Sequence, residues 1–228
     1  MRLALFDLDG TLLAGDSDLL WSRFLADAGV IDASRAAQAV TIGQRYAAAT
    51  IAPEDYCLFH ASLIVGFTAD ELLPLRQRFL AEVVRPCIPD LARDLVRRHR
   101  DAGDRILLTT ATNRVVSELT AWDLGFTDFL CTELAWEQGR CSGRIVGLPN
   151  MRTGKLQRLR QWLAEQGLSE TELKRASFYS DSFNDLALLS AVRRPVVVNP
   201  DNRLRSTAIY KGWQVLMLWP PQAREPAH

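Results

Sequence analysis

Two aspartates two residues apart, Asp7 and Asp9, end a short apolar run and lead into Gly10 and Thr11. Carboxylates so spaced can divide labour, one attacking and the other moving a proton, when their environments differ. Three more groups follow in chain order: Thr109-Thr110 after a second apolar run, then Lys155, then Asp181 with Asn184 and Asp185 close behind. Four carboxylates (Asp7, Asp9, Asp181 and Asp185) brought to one rim repel one another unless a cation sits among them, and an all-oxygen set suits Mg²⁺. A carboxylate attacks a phosphate monoester dianion poorly until a metal and a lysine cancel the charge between them. A hydroxyl such as that of Thr110 can meanwhile hold a phosphoryl oxygen. These residue types point to covalent phosphoryl transfer at a magnesium site.

For such residues to meet, several strands must end side by side. Leu3-Ala4-Leu5-Phe6, Ile106-Leu107-Leu108, Phe129-Leu130-Cys131, Ser177-Phe178-Tyr179 and Val196-Val197-Val198 read as short buried strands. Between them lie helical patterns carrying Leu91, Leu95 and Val96, then Val115, Val116, Leu119 and Trp122, then Leu156, Leu159, Trp162 and Leu163, then Leu186 and Leu189. This alternation predicts an α/β fold, a Rossmann-like doubly wound parallel sheet that binds ligands outside the carboxyl ends of its strands. Leu134 to Trp136 and Ile145-Val146, with Gly139 and Gly143 between them, predict a small hairpin at the sheet edge. From 16 to 85 no strand is predicted. Leu20, Trp21, Phe24, Leu25 and Ala28 have helical spacing, Asp16 or Ser17 offers a cap, Pro53 opens a later helix, and Gly29, Gly43 and Gly66 act as breaks. Residues 16–85 are therefore expected to form a separate all-helical cap, with 1–15 and 86–228 as the core.

Composition narrows the function classes. The 27 basic and 27 acidic residues of the 228 cancel, which argues against a protein that binds by neutralising nucleic-acid phosphates. The apolar run before Asp7 is too short for a signal-peptide core, and no stretch approaches the roughly 18 apolar residues of a spanning helix. The expectation is a soluble cytoplasmic protein with neither nucleic acid nor membrane as partner. Cys57, Cys87, Cys131 and Cys141 form no CxxC pair, and His60, His99 and His228 show no ligand spacing, so zinc is not expected. The six tryptophans and His60 read as packing residues.

DLDGTL, ILLTT, Lys155 and YSDSFNDLALL, in this order at the ends of the expected elements, resemble the four motifs of the haloacid dehalogenase superfamily. The resemblance covers 1–15 and 86 to about 200, and the helical insertion directly after the first motif is similar to the cap of the phosphoserine phosphatase subgroup. It implies Asp7 as nucleophile and Asp9 as acid and then base, with Asp9 meeting Mg²⁺ through its backbone carbonyl. It further implies phosphate binding by Thr110 and Lys155, metal binding by Asp181 with support from Asp185, and Gly10, Thr112 and Asn184 near substrate. Thr109 would face the sheet, and Asn184 could instead cap a helix.

The implied substrate is a small phosphorylated metabolite. Where phosphoserine enzymes typically carry glycines after the second motif, this chain has Ala111-Thr112-Asn113, and its tail resembles relatives of which some hydrolyse histidinol phosphate. Asp16 lies nine residues after Asp7, where phosphoserine phosphatases place the acid that receives the substrate's amine; helix capping is the competing role. The expectation is an amine-bearing phosphate monoester, histidinol phosphate ahead of phosphoserine. The alternatives are a phosphomutase or phosphotransferase on the same core, a phosphoaspartyl receiver, or a metabolite-binding module. A receiver carries its acidic pair ahead of the phosphoacceptor, in another element, which is not the order here.

Overall fold

The computed structural model of the chain describes residues 2–48 and 50–220. Its centre is β1 (Leu3–Phe6), flanked on one side by β2 (Arg105–Asn113), β3 (Asp128–Glu137) and β4 (Arg140–Val146), and on the other by β5 (Ser177–Ser180), β6 (Arg194–Val198) and β7 (Gln214–Leu216). The sheet order is β4-β3-β2-β1-β5-β6-β7. Neighbours are parallel except β3 and β4, which form the antiparallel edge hairpin. Chain order reverses at β1, so a switch point opens between β1 and its neighbours at their carboxyl ends.

Helices cover both faces, as the buried strands require. Between β1 and β2 run α1 (Ser17–Asp27), α2 (Ala33–Ala47), α3 (Pro53–Ser62), α4 (Ala69–Phe79) and α5 (Asp90–Asp101). Then come α6 (Arg114–Asp123), α7 (Thr153–Glu165), α8 (Leu186–Ala191) and α9 (Asn202–Lys211). Strand alternation sorts the two cores: Ala4, Phe6, Ile106 and Leu108 pack with α5 and α6, while Leu3, Leu5, Leu107 and Phe178 pack with α7, α8 and α9. Trp21, Phe24, Ile64, Leu72 and Phe79 of the 16–85 stretch belong to the same cluster as Phe6 and Leu108. These residues therefore pack into the core of the sheet, while Tyr56 and Cys57 of α3 form a second small cluster with Met151.

Several local expectations are corrected. Phe129-Leu130-Cys131 and Leu134 to Trp136 are one strand, because the polar residues between them are satisfied there: Thr132 donates to the Ala111 carbonyl and Glu133 receives the Arg114 guanidinium. Gly43 lies inside α2 and does not break it; a Cβ there would meet Leu19 at 3.7 Å, an ordinary contact. The pattern did not foresee α9 and β7; α9 buries only Leu204 and Ala208, too narrow a stripe to read. Trp122 and Trp136 are exposed, unlike the buried Trp21. All four cysteines are free. No described helix is long and apolar enough to cross a membrane. His228 lies outside the described residues.

Candidate active site

The register of β1 explains where Asp7 goes. Phe6 pairs with Leu108 of β2 and Tyr179 of β5, and the Asp7 N–H donates to the Tyr179 carbonyl at 2.9 Å. The side chain of Asp7 thus emerges at the switch point, 6% exposed. Lys155, in the first turn of α7, donates from Nζ to Asp7 Oδ1 at 2.8 Å and to Asp185 Oδ2 at 2.7 Å. Ser180 Oγ donates to the same Asp185 oxygen at 2.8 Å. Burial raises the Asp7 pKa well above the usual carboxylate range, Lys155 opposes the rise, and Asp185 and Asp181 add to it. Burial works against the Lys155 charge, yet Asp185 and Asp7 hold it firmly protonated.

Asp9 is held differently. Its Oδ1 accepts the Ser17 N–H at 2.7 Å, while Oδ2 accepts Thr112 Oγ1 at 2.8 Å and Thr110 Oγ1 at 3.4 Å. The β2–β3 register shifts between Thr109 and Asn113. Such a shift re-aims side chains at a strand end. Thr110 and Thr112 both turn to Asp9, whereas Thr109 faces Asn150. Asn150, fully buried, donates from Nδ2 to Thr109 Oγ1, the Thr110 carbonyl and the Leu130 carbonyl at 2.9–3.1 Å. Gly10 adopts φ +69°, and a Cβ there would lie 2.2 Å from Asp181 Oδ2, so only glycine admits that carboxylate against the loop. Thr11 Oγ1 donates to Asp181 Oδ1 at 3.2 Å.

Asp185 and Asn184 each take a specific place beside the site. Asp185 is engaged by Lys155 and Ser180, and among the described residues no three acidic, imidazole or thiol side chains form a metal cluster by themselves. Asp185, expected among the metal-binding carboxylates, stands against the lysine and Ser180. Ser182, not Asn184, caps the short helical turn Phe183–Asp185, accepting the Asn184 N–H at 3.2 Å.

At the entrance to α1, Asp16 is half-buried and caps the helix by accepting the Leu19 N–H at 3.0 Å. Burial, reinforced by Asp9 and Asp18, pushes its pKa up to about 7. Asp18, 3% exposed, is likewise pushed to about 7 by burial and by Asp9, and accepts the Tyr56 hydroxyl at 3.2 Å. His60, 2% exposed, is pushed down to about 4 by burial. Sequence reasoning assigned no site role to Thr11, Asn150 and Ser180, and it read Ser17 as a cap candidate. Ser17 and Ser180 sat beside residues already singled out, but a serine there reads equally as turn chemistry.

The arrangement offers one buried carboxylate on a lysine, a second carboxylate on hydroxyls and an amide, and a third against a glycine turn. The family model described as haloacid dehalogenase-like hydrolase matches residues 4–190. A histidinol-phosphatase of Neisseria meningitidis is 38% identical over 217 residues, covering 94% of this chain and 98% of that protein. A phosphoserine phosphatase of Mycobacterium tuberculosis is 34% identical over 221 residues, covering 93% and 69%. Among solved structures, a protein of unknown function from Bordetella pertussis Tohama I superposes with a TM-score of 0.91 at 40% identity, covering 96% and 99%. A substrate-bound phosphoserine phosphatase superposes with a TM-score of 0.69 at 15% identity, covering 94% and 92%, and supports the fold alone. With the matched region spanning both strand ends that carry these aspartates, the chain belongs to the haloacid dehalogenase-like hydrolase family and is a phosphatase.

Proposed function

We propose that the protein hydrolyses a small amine-bearing phosphate monoester, histidinol phosphate ahead of phosphoserine, through a phosphoryl group carried on Asp7, with Mg²⁺ as cofactor. The observation that carries the reading is the contrast between Asp7 and Asp9: one is fixed by Lys155, the other by Ser17, Thr110 and Thr112. A carboxylate oxygen of Asp7 attacks phosphorus, the bond from phosphorus to the ester oxygen breaks, and Asp9 gives its proton to the departing alkoxide. Asp9 then takes a proton from water, the water oxygen attacks phosphorus, and the bond to Asp7 breaks to release inorganic phosphate. Lys155 stays protonated beside Asp7 and meets the phosphoryl oxygens, and Thr110 offers them its hydroxyl.

The residues fit a divalent cation. Three carboxylates, Asp7, Asp181 and Asp185, share this buried end of the sheet with the single ammonium of Lys155, and their mutual repulsion contributes to the raised Asp7 pKa. Asp7, the Asp9 carbonyl and Asp181 would hold the ion. When bound, Mg²⁺ supplies the positive charge that lets an anionic nucleophile approach an anionic phosphate.

Helices α1 to α4 serve as the cap that selects the rest of the substrate. The acidic surroundings of Asp9, Asp16 and Asp18 favour a cationic group over a carboxylate, and the relative named a histidinol-phosphatase is similar over almost its whole length. Purified protein assayed against a panel of phosphate monoesters, with Mg²⁺ and after chelation, tests the proposal. Metal-dependent release of phosphate with preference for histidinol phosphate is expected. Equal activity after thorough chelation, or preference for anionic sugar phosphates, would overturn it.

A further inference from the structure

Asp16, at the position that resembles an amine receptor, already spends Oδ1 on the α1 cap. Two turns of the cap behind it hold a less committed group. Asp18 Oδ1 is buried without a hydrogen-bond partner, and both ring nitrogens of His60 are buried without one as well. His60 Nδ1 lies 4.0 Å from Asp18 Oδ1. Leaving such groups unpaired costs about 1–3 kcal/mol each, more for a charge, so their pairing in some state of the enzyme is expected. With the imidazole proton on Nε2, Nδ1 and Asp18 Oδ1 are two acceptors 4.0 Å apart that one donor nitrogen can reach at ordinary hydrogen-bond distance.

The surroundings set the character of that donor. Asp18 Oδ2 is fixed by the Tyr56 hydroxyl at 3.2 Å, which leaves Oδ1 as the open oxygen. The Tyr56 ring lies tilted by 51° against His60 with centroids 4.5 Å apart, and Phe59 meets the imidazole edge to face at 5.2 Å. Burial keeps the imidazole neutral, with its pKa pushed down to about 4. Ser17, next to Asp18 in the chain, hydrogen-bonds Thr112, which in turn donates to Asp9. Asp18 is thus one residue from a hydrogen-bond chain that runs through Ser17 and Thr112 to the Asp9 carboxylate.

We infer that Asp18 Oδ1 and His60 Nδ1 form the ammonium subsite of this phosphatase, so that Asp18, and not the capping Asp16, determines specificity for an amine. The inference rests on the amine-bearing substrate proposed above and assigns its recognition to different residues. Asp18 is 3% and His60 2% exposed, so an ammonium held there is shielded from water. An ammonium placed there donates to one carboxylate and one imidazole. The hydroxyl of Tyr56 fixes the carboxylate and leaves one oxygen for the ligand.

The test compares kcat/KM for histidinol phosphate with that for its desamino analogue, which lacks only the amine, in wild type, D18N, H60F and D16N. In D18N the ratio of the two values should fall about tenfold or more, the loss expected for a hydrogen bond to a charged group. H60F, which keeps the ring and removes the acceptor, should lower the ratio less but in the same direction. It provides the test if D18N does not fold. In D16N the ratio should stay within about threefold of wild type. A ratio unchanged in D18N and H60F would overturn the inference and leave a buried water as the occupant; selective loss in D16N alone would return the amine to Asp16. A wild-type enzyme with no preference for the amine would instead refute the substrate reading on which the inference rests.

Discussion

Asp9 owes its position to three donors, the Ser17 N–H and the hydroxyls of Thr112 and Thr110, and among the described residues to no cationic side chain. It can therefore exchange a proton without breaking an ion pair. Asp9→Asn should slow hydrolysis of alkyl phosphates by about 100-fold or more and that of an aryl phosphate far less, since a good leaving group needs little protonation. Equal slowing of both, measured as kcat/KM, would remove the acid role. His60 makes a second prediction, one of stability. Its folded pKa is lowered by burial to about 4 from the ordinary 6.5, so between these values the unfolded chain binds the proton and the folded chain resists it. The contribution of His60 is present in full above pH 6.5 and is lost as pH falls toward 4. The stability difference between wild type and His60→Phe, from denaturant melts, should accordingly shift against wild type across that window and stay constant above it.

Short elements do the aiming. Asn150 stands in the loop ahead of α7 and ties it to β2 and β3 through three acceptors, including the Thr110 carbonyl. Asn150→Ala leaves those acceptors buried without a donor. It should cost about 2 kcal/mol and lower Tm by a few degrees, with kcat falling as Thr110 loosens. A neutral effect on both calorimetric Tm and kcat would show that the loop is held by other contacts. The sequence made the ends of β1 and β5 legible because Asp7, Asp9 and Asp181 follow compact apolar runs. Asn150 was not legible, since a Pro-Asn pair in a loop reads as an ordinary turn, and its three bonds cross from one element to two others. The course of β2 past Thr110 was hidden for a similar reason: polar Thr112 and Asn113 look like a strand end until Asp9 and the α6 cap are seen to satisfy them.

At the scale of the molecule, pattern reading recovered the alternation of strands and helices, the antiparallel edge and the helical insertion. It did not show that the insertion shares its core with the sheet, because periodicity reveals which face of a helix is buried but not what it is buried against. Phe79 illustrates the point: at 2% exposure it meets Trp21 and Phe24 at ring-centroid distances of 5.0 and 5.5 Å, within the cluster that includes Phe6. Phe79→Ala should cost about 3–5 kcal/mol. It should also lower the unfolding of cap and sheet together, as one transition by far-UV and near-UV circular dichroism, whereas two separated transitions would indicate independently stable parts. The central claim is that phosphorus passes through Asp7. Acid quench of the enzyme during turnover of a radiolabelled phosphate monoester, followed by peptide mapping, tests it most directly. The account predicts hydroxylamine-labile label on the peptide at Asp7, absent in Asp7→Asn. Turnover without covalent label, or label on another residue, would contradict it.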